Sequence, residues 1–268
     1  MKLDYGTQIS PFPIPLSIGT LRKPTLKDIS EIGYERFGLY ESFTKLTPKL
    51  FYTKLNKENG GEKYWESLGE DEQYKLTMFG LLCDDDVLQK MYTALLDFFF
   101  VESVQFVEKC FVIYDGEKDV DLSQEDNIKK IKGVITLDTF NSVMTLIQQV
   151  CGIYDDAYDL DGMTFKSEFA KRKYLEFLEN KKEAEEKKEK KADKNMSIPN
   201  IISAVANKHQ SLNYVNIWQL TLFQLLDVFH RLQTNTIYDI DSTRVSVWGD
   251  EKNTFDISLW YKNEYDKS

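Results

Sequence analysis

The sequence predicts an α+β protein, predominantly α-helical with a small antiparallel sheet. Apolar residues recur at helical spacing through most of the longer segments. β-Branched and aromatic residues gather instead in Val101–Tyr114, on either side of a polar turn. Hydrophobic residues make up 42% of the 268 and aromatics 13%, which supplies a core and excludes general disorder.

The first element is an extended arm over residues 10–24. Pro11, Pro13 and Pro15 each fix their own φ and push the preceding residue towards extended geometry. Phe12, Ile14, Leu16 and Ile18 alternate as in a strand and are candidate protein-binding residues. The arm is either an edge strand or strap across the chain's own core, or an arm that docks on a neighbouring subunit. Thr25 with Asp28 then forms a capping box, opening a helix through Leu26, Ile29, Gly33, Phe37 and Tyr40 that Pro48 ends or bends.

Gly69–Phe100 reads as one or two helices. The acidic run Asp84-Asp85-Asp86 marks a break and caps the second. Val101–Tyr114 reads as strands around a turn at Glu108-Lys109, and Val134–Thr136 as a further short strand. A helix over 138–151 places Phe140, Val143, Met144 and Ile147 on one face. Residues 165–194 read as a helix that becomes highly charged, with seven Lys against six acids from Glu179 to Lys194. Ser197-Ile198-Pro199-Asn200 starts a new helix. A last helix over 215–233 carries Trp218, Leu222, Leu225, Phe229 and Leu232 along one side, and Val245–Trp248 reads as a short strand. Trp218, Leu222 and Phe229 are the second set of candidate protein-binding residues. The chain therefore divides into an α+β domain at 1–178, a charged helix or linker at 179–196, and a helical lobe at 197–268 packed on the first.

Composition narrows function. The net charge of −10, with basic residues interleaved among acidic ones, disfavours nucleic acid as a partner. The longest apolar run, at Phe98-Phe99-Phe100, is flanked by charges and too short to span a bilayer. Met1–Thr7 is polar and unlike a secretory leader. Cys83, Cys110 and Cys151 are odd in number and widely spaced, which fits a reducing compartment and no disulfide framework. His209 and His230 have no neighbours at metal-ligand spacing. Phosphate-binding, dinucleotide and nucleophile-elbow motifs are absent. The nearest approach to a metal loop is 157–168, where Asp159, Asp161, Gly162 and Glu168 fall on the third, fifth, sixth and twelfth positions of the calcium pattern. Ala157 stands at its first position, so one direct ligand is missing. The sequence thus predicts a protein that binds other proteins, with no catalytic residues and no cofactor.

Two stretches carry a resemblance. Pro11–Ile29 resembles the opening of proteins from the tail-gene modules of tailed phages and prophages of Gram-positive bacteria. Ile201–His209, continuing through Asn216–Asp227, is similar to the ends of the same proteins. Among these, the chain resembles tail assembly chaperones, which hold the long tape-measure protein soluble until tube protein polymerises around it. The resemblance implies tape-measure and tail tube proteins as partners, association with further copies of the chain, and residence in the host bacterial cytoplasm or the virion. Three rival readings stand beside it: a structural virion protein of the tail, neck or baseplate; a phage protein that binds a host defence factor; and a metal-dependent enzyme or calcium-responsive module using Asp159, Asp161 and Glu168.

Overall fold

The computed structural model describes residues 2–118, 120–122, 124–153, 194–251 and 253–263. The architecture is α+β and predominantly helical, with a two-stranded and a three-stranded antiparallel sheet. A short helix α1 (Tyr5–Ile9) is capped by Asp4, whose carboxylate accepts from Thr7 N at 2.8 Å. The proline arm follows as a hairpin, β1 (Ile14–Leu16) and β2 (Gly19–Leu21), with Ile14 opposite Leu21.

This hairpin lies on its own chain. Thr20 donates from N and Oγ1 to the Glu102 carboxylate at 2.8 and 2.9 Å, and Arg22 N donates to Phe99 O at 2.6 Å. Its turn rests on the larger sheet at Gly133, where a Cβ would stand 2.5 Å from Ile18 Cα.

The Thr25–Asp28 capping box is present and opens α2 (Leu26–Ile32). The predicted single helix is broken at Gly33, whose φ of 89° lies in the region that glycine enters freely. The chain restarts as α3 (Tyr34–Thr44). Pro48 begins α4 (Pro48–Leu50), where its missing N–H costs nothing. The chain then widens into a π-helical turn at Phe51–Leu55, followed by α5 (Gly61–Ser67) and α6 (Glu70–Lys75). Next come α7 (Met78–Cys83) and the amphipathic α8 (Asp86–Phe99). Asp85 caps α8 as the sequence indicated, accepting from Val87 N at 2.8 Å and Leu88 N at 3.0 Å.

The larger sheet has the order β3-β4-β5, with β3 at Ser103–Val107, β4 at Cys110–Tyr114 and β5 at Ile131–Ile135. Glu108 and Lys109 form the β3–β4 turn with φ of 48° and 63°, the twist-matched conformation of a two-residue hairpin. A four-residue helix α9 (Glu125–Ile128) lies on the way to β5, and α10 (Leu137–Val150) follows it. Phe79, Tyr92, Phe111 and Phe140 interlock edge to face where α7, α8, β4 and α10 meet.

The C-terminal part contains α11 (Ile198–Lys208) and the long α12 (Leu222–Trp248). Two expectations are corrected here. The last helix begins at Leu222, because Thr221 forms a capping box with Gln224; Trp218 precedes it in a 3-10 turn, Ile217–Gln219. Val245–Trp248 is the final turn of α12, not a strand: the helical hydrogen-bond ladder, continuing to Gly249 N on Val245 O at 2.8 Å, overrides β-branched propensity. The expected helix at 165–194 and linker at 179–196 lie outside the described residues, apart from Lys194–Met196, a 3-10 turn. The core does not stop between the N- and C-terminal parts. Leu3, Leu26, Phe37, Leu96, Ile147, Val205 and Leu225 belong to one buried cluster, and Leu26 N donates to Leu220 O at 2.8 Å.

Candidate protein-binding surface

The first residues of the chain are built into that core. Leu3 is buried and its N donates to Gln149 Oε1 at 2.6 Å. Lys23 is buried too, and its ammonium donates to Thr7 O and, at 2.7 Å, to Ser10 O. Burial holds that amine below the usual lysine range. Gln224 Nε2 donates to Ile9 O at 2.7 Å. The Tyr5 hydroxyl donates to Asp227 Oδ1 and accepts from Arg231. Residues 5–9 thereby fix the start of α12.

From there α12 leaves the body. Its buried residues are Leu222, Phe223, Leu225 and Asp227, all near its start. The apolar side continues at spacings of three and four through Phe229, Leu232, Thr236, Ile240, Thr243 and Val247, the periodicity of a helix-pairing seam. α11 covers the first part through Ile201, Ile202 and Val205, and ends where Lys208 Nζ donates to Thr236 Oγ1 at 2.7 Å. Past that point the seam lies open, with Ile240 and Val247 each 64% exposed, and on its flank Ile237 is 52% and Trp248 79% exposed.

The segment after α12 folds back along another side. Phe255 packs on Tyr238 with ring centroids 5.5 Å apart, held by Asp250, which accepts from Thr254 N and Phe255 N at 3.0 and 2.9 Å. These bonds keep the Asp250 carboxyl below the ordinary carboxylate range. Beyond Phe255, Ile257, Trp260 and Tyr261 are again exposed. Large apolar side chains are thus concentrated on residues 237–261, a pattern that marks interaction surfaces.

The residues singled out from sequence are placed as follows. Ile14 is buried, and Leu16 and Ile18 pack half-buried on the same core, so three members of the alternating set face inward; Phe12 stands 73% exposed. Leu222 is buried, and Trp218 and Phe229 are half-buried against the core. Trp218 Nε1 donates to Tyr214 O at 2.8 Å. Asp159, Asp161 and Glu168 lie outside the described residues. The open seam at Ile237–Trp248 went unread because the polar run Gln233–Thr236 interrupts it, although the three-four spacing passes through that run.

Other reactive groups take structural places. His209 Nδ1 accepts from Ser211 N and Leu212 N at 3.1 Å each, closing a turn. Burial raises the Cys151 thiol well above its usual range, and Cys83 and Cys110 less so. Among the described residues, no three His, Cys, Asp or Glu side chains gather closely enough to hold a metal ion, and no helix is long and apolar enough to cross a membrane.

Residues 187–265 match the family model of the YomV second domain, a phage-derived family named for YomV of a Bacillus prophage. No curated protein and no solved structure matches the chain. The matched span contains α11, α12 and the returning segment, and with them the exposed Ile237, Ile240, Val247, Trp248, Ile257, Trp260 and Tyr261. This C-terminal likeness to a phage-derived domain suggests a phage protein.

Proposed function

We propose that the chain is a non-catalytic, protein-binding factor of phage tail morphogenesis that chaperones the tape-measure protein. One observation carries the reading: the phage-like segment is also the one that projects a run of exposed apolar side chains from Ile237 to Tyr261. Amphipathic helices along a long substrate need such surface to cover them. The net charge of −10 keeps the loaded complex dispersed. The Ile257–Tyr261 segment supplies an aromatic anchor, Trp260 against Tyr261 at 5.1 Å, of the kind that dominates binding energy.

Co-expression with the tape-measure protein of the same phage tests this. The expected result is a soluble co-purifying complex, with the chain absent from mature particles by mass spectrometry. Recovery of the chain in mature particles would instead make it a virion component.

A further inference from the structure

We infer that the open half of α12 pairs antiparallel with the same half of a second copy of this chain. The inference stands apart from the tape-measure reading and leaves the exposed Ile257, Trp260 and Tyr261 open to that partner. It starts from the flank of the seam, where Ile237, Asp241, Arg244 and Trp248 follow one another at four-three-four spacing. Read in either direction, this row runs apolar, charged, charged, apolar, and the two charges are opposite.

Reversing one helix against another about a point near Ser242 and Thr243 therefore sets Ile237 against the partner copy's Trp248. The same operation sets Asp241 against Arg244, and each contact occurs twice, as a two-fold interface requires. On the seam itself, the same reversal brings Ile240 within two positions of the partner copy's Val247. A parallel pairing would set Asp241 on Asp241 and Arg244 on Arg244, which like charges disfavour.

The ion pair is already half made. Arg244 Nε stands 3.3 Å from Asp241 Oδ1 within one chain, with both side chains about two-fifths exposed. A second Asp241 can reach the same guanidinium from across the seam. The open stretch 237–248 is roughly 18 Å long, enough for three turns of pairing. Covering Ile237, Ile240, Val247 and Trp248 on both copies removes on the order of 1,000 Å² from water, where specific interfaces begin. The seam on α12 is also continuous with the one that α11 already fills, so the second copy takes up the helix where α11 ends at Lys208.

Sedimentation of the full chain across micromolar concentrations tests this. The expected result is a reversible shift from the 31.4 kDa of one chain to twice that mass. Ile240→Glu and Arg244→Asp should each weaken association at least tenfold while leaving the circular dichroism spectrum unchanged. The double exchange Asp241→Arg with Arg244→Asp should restore it. A wild-type chain that stays monomeric throughout, a dimer indifferent to Ile240→Glu, or failure of the double exchange to recover association would each overturn the proposal.

Discussion

The Tyr5 hydroxyl lies 3.1 Å from Asp227 Oδ1, joining residues 222 positions apart in the chain. Arg231 completes the triangle, with Nη2 donating to the Tyr5 oxygen at 2.9 Å and Nε to Asp227 Oδ2 at 3.0 Å. Asp227 is only 3% exposed, so its charge depends on these donors. Tyr5→Phe should lower stability by about 1.5 kcal/mol, because it removes both the bond to Asp227 and the bond from Arg231. Asp227→Ala should cost about 2–3 kcal/mol, because it leaves the Arg231 guanidinium without its carboxylate. Urea denaturation checks both, and equal losses from the two variants would contradict the arrangement.

Gly133→Ala tests the seat of the proline hairpin on the sheet. A Cβ there meets Ile18 Cα at 2.5 Å and Ile18 O at 2.9 Å, which are backbone atoms that cannot swing aside. The expected loss is about 2–3 kcal/mol, in the range of overpacked cores. Gly38→Ala, where nothing lies within 4 Å, is the control and should be neutral or slightly stabilising.

Asp85→Ala removes the cap of α8. Two backbone donors lose their acceptor, and a loss of about 1 kcal/mol is expected in thermal or chemical melting. Asp84→Ala, one residue earlier in the same acidic run, should change little, because Asp84 N bonds to the end of α7 and its carboxylate caps no helix.

Glu41 gives a pH signature. Its carboxyl is raised above the ordinary value of 4.5, chiefly because burial penalises the charge, with Lys45 opposing in part. A carboxyl whose folded-state pKa is raised favours folding below its unfolded value, and that contribution is lost as pH rises through the folded value. Glu41→Gln should therefore raise Tm at pH 7 and have a smaller effect at pH 4. An effect that is equal or larger at pH 4 would refute it.

Trp260→Ala with Tyr261→Ala should leave Tm within about 1 °C, since both rings are more than half exposed. The same pair should reduce capture of the tape-measure protein at least tenfold in co-purification, through loss of an aromatic anchor. Unchanged capture would remove this segment from the proposed function.

Local signals were legible where one residue meets one backbone group. Thr25 with Asp28, Asp85 at α8, and the Glu108-Lys109 turn are each decided within four positions. The break at Gly33 was hidden because glycine is compatible with a continuous helical period as well as with its end. The inward turn of the arm could not be read, since alternation in Phe12–Ile18 says which residues share a face and nothing about what the face meets. That is decided by Glu102, Gly133 and Lys23, far along the chain or acting through backbone carbonyls. The open seam on α12 was obscured by four polar residues that a short window reads as an ending.

The bonds that tie Leu3, Ile9 and Tyr5 to Gln149, Gln224 and Asp227 bear on how the chain is made. A ribosome releases the N-terminal segment long before α12 exists to receive it. Those early apolar residues must wait, exposed, until α12 has been made and has emerged to cover them. Long-range closure of this kind slows folding and leaves sticky intermediates. Truncation from the C-terminal side into α12 should accordingly yield aggregates and not a stable N-terminal domain.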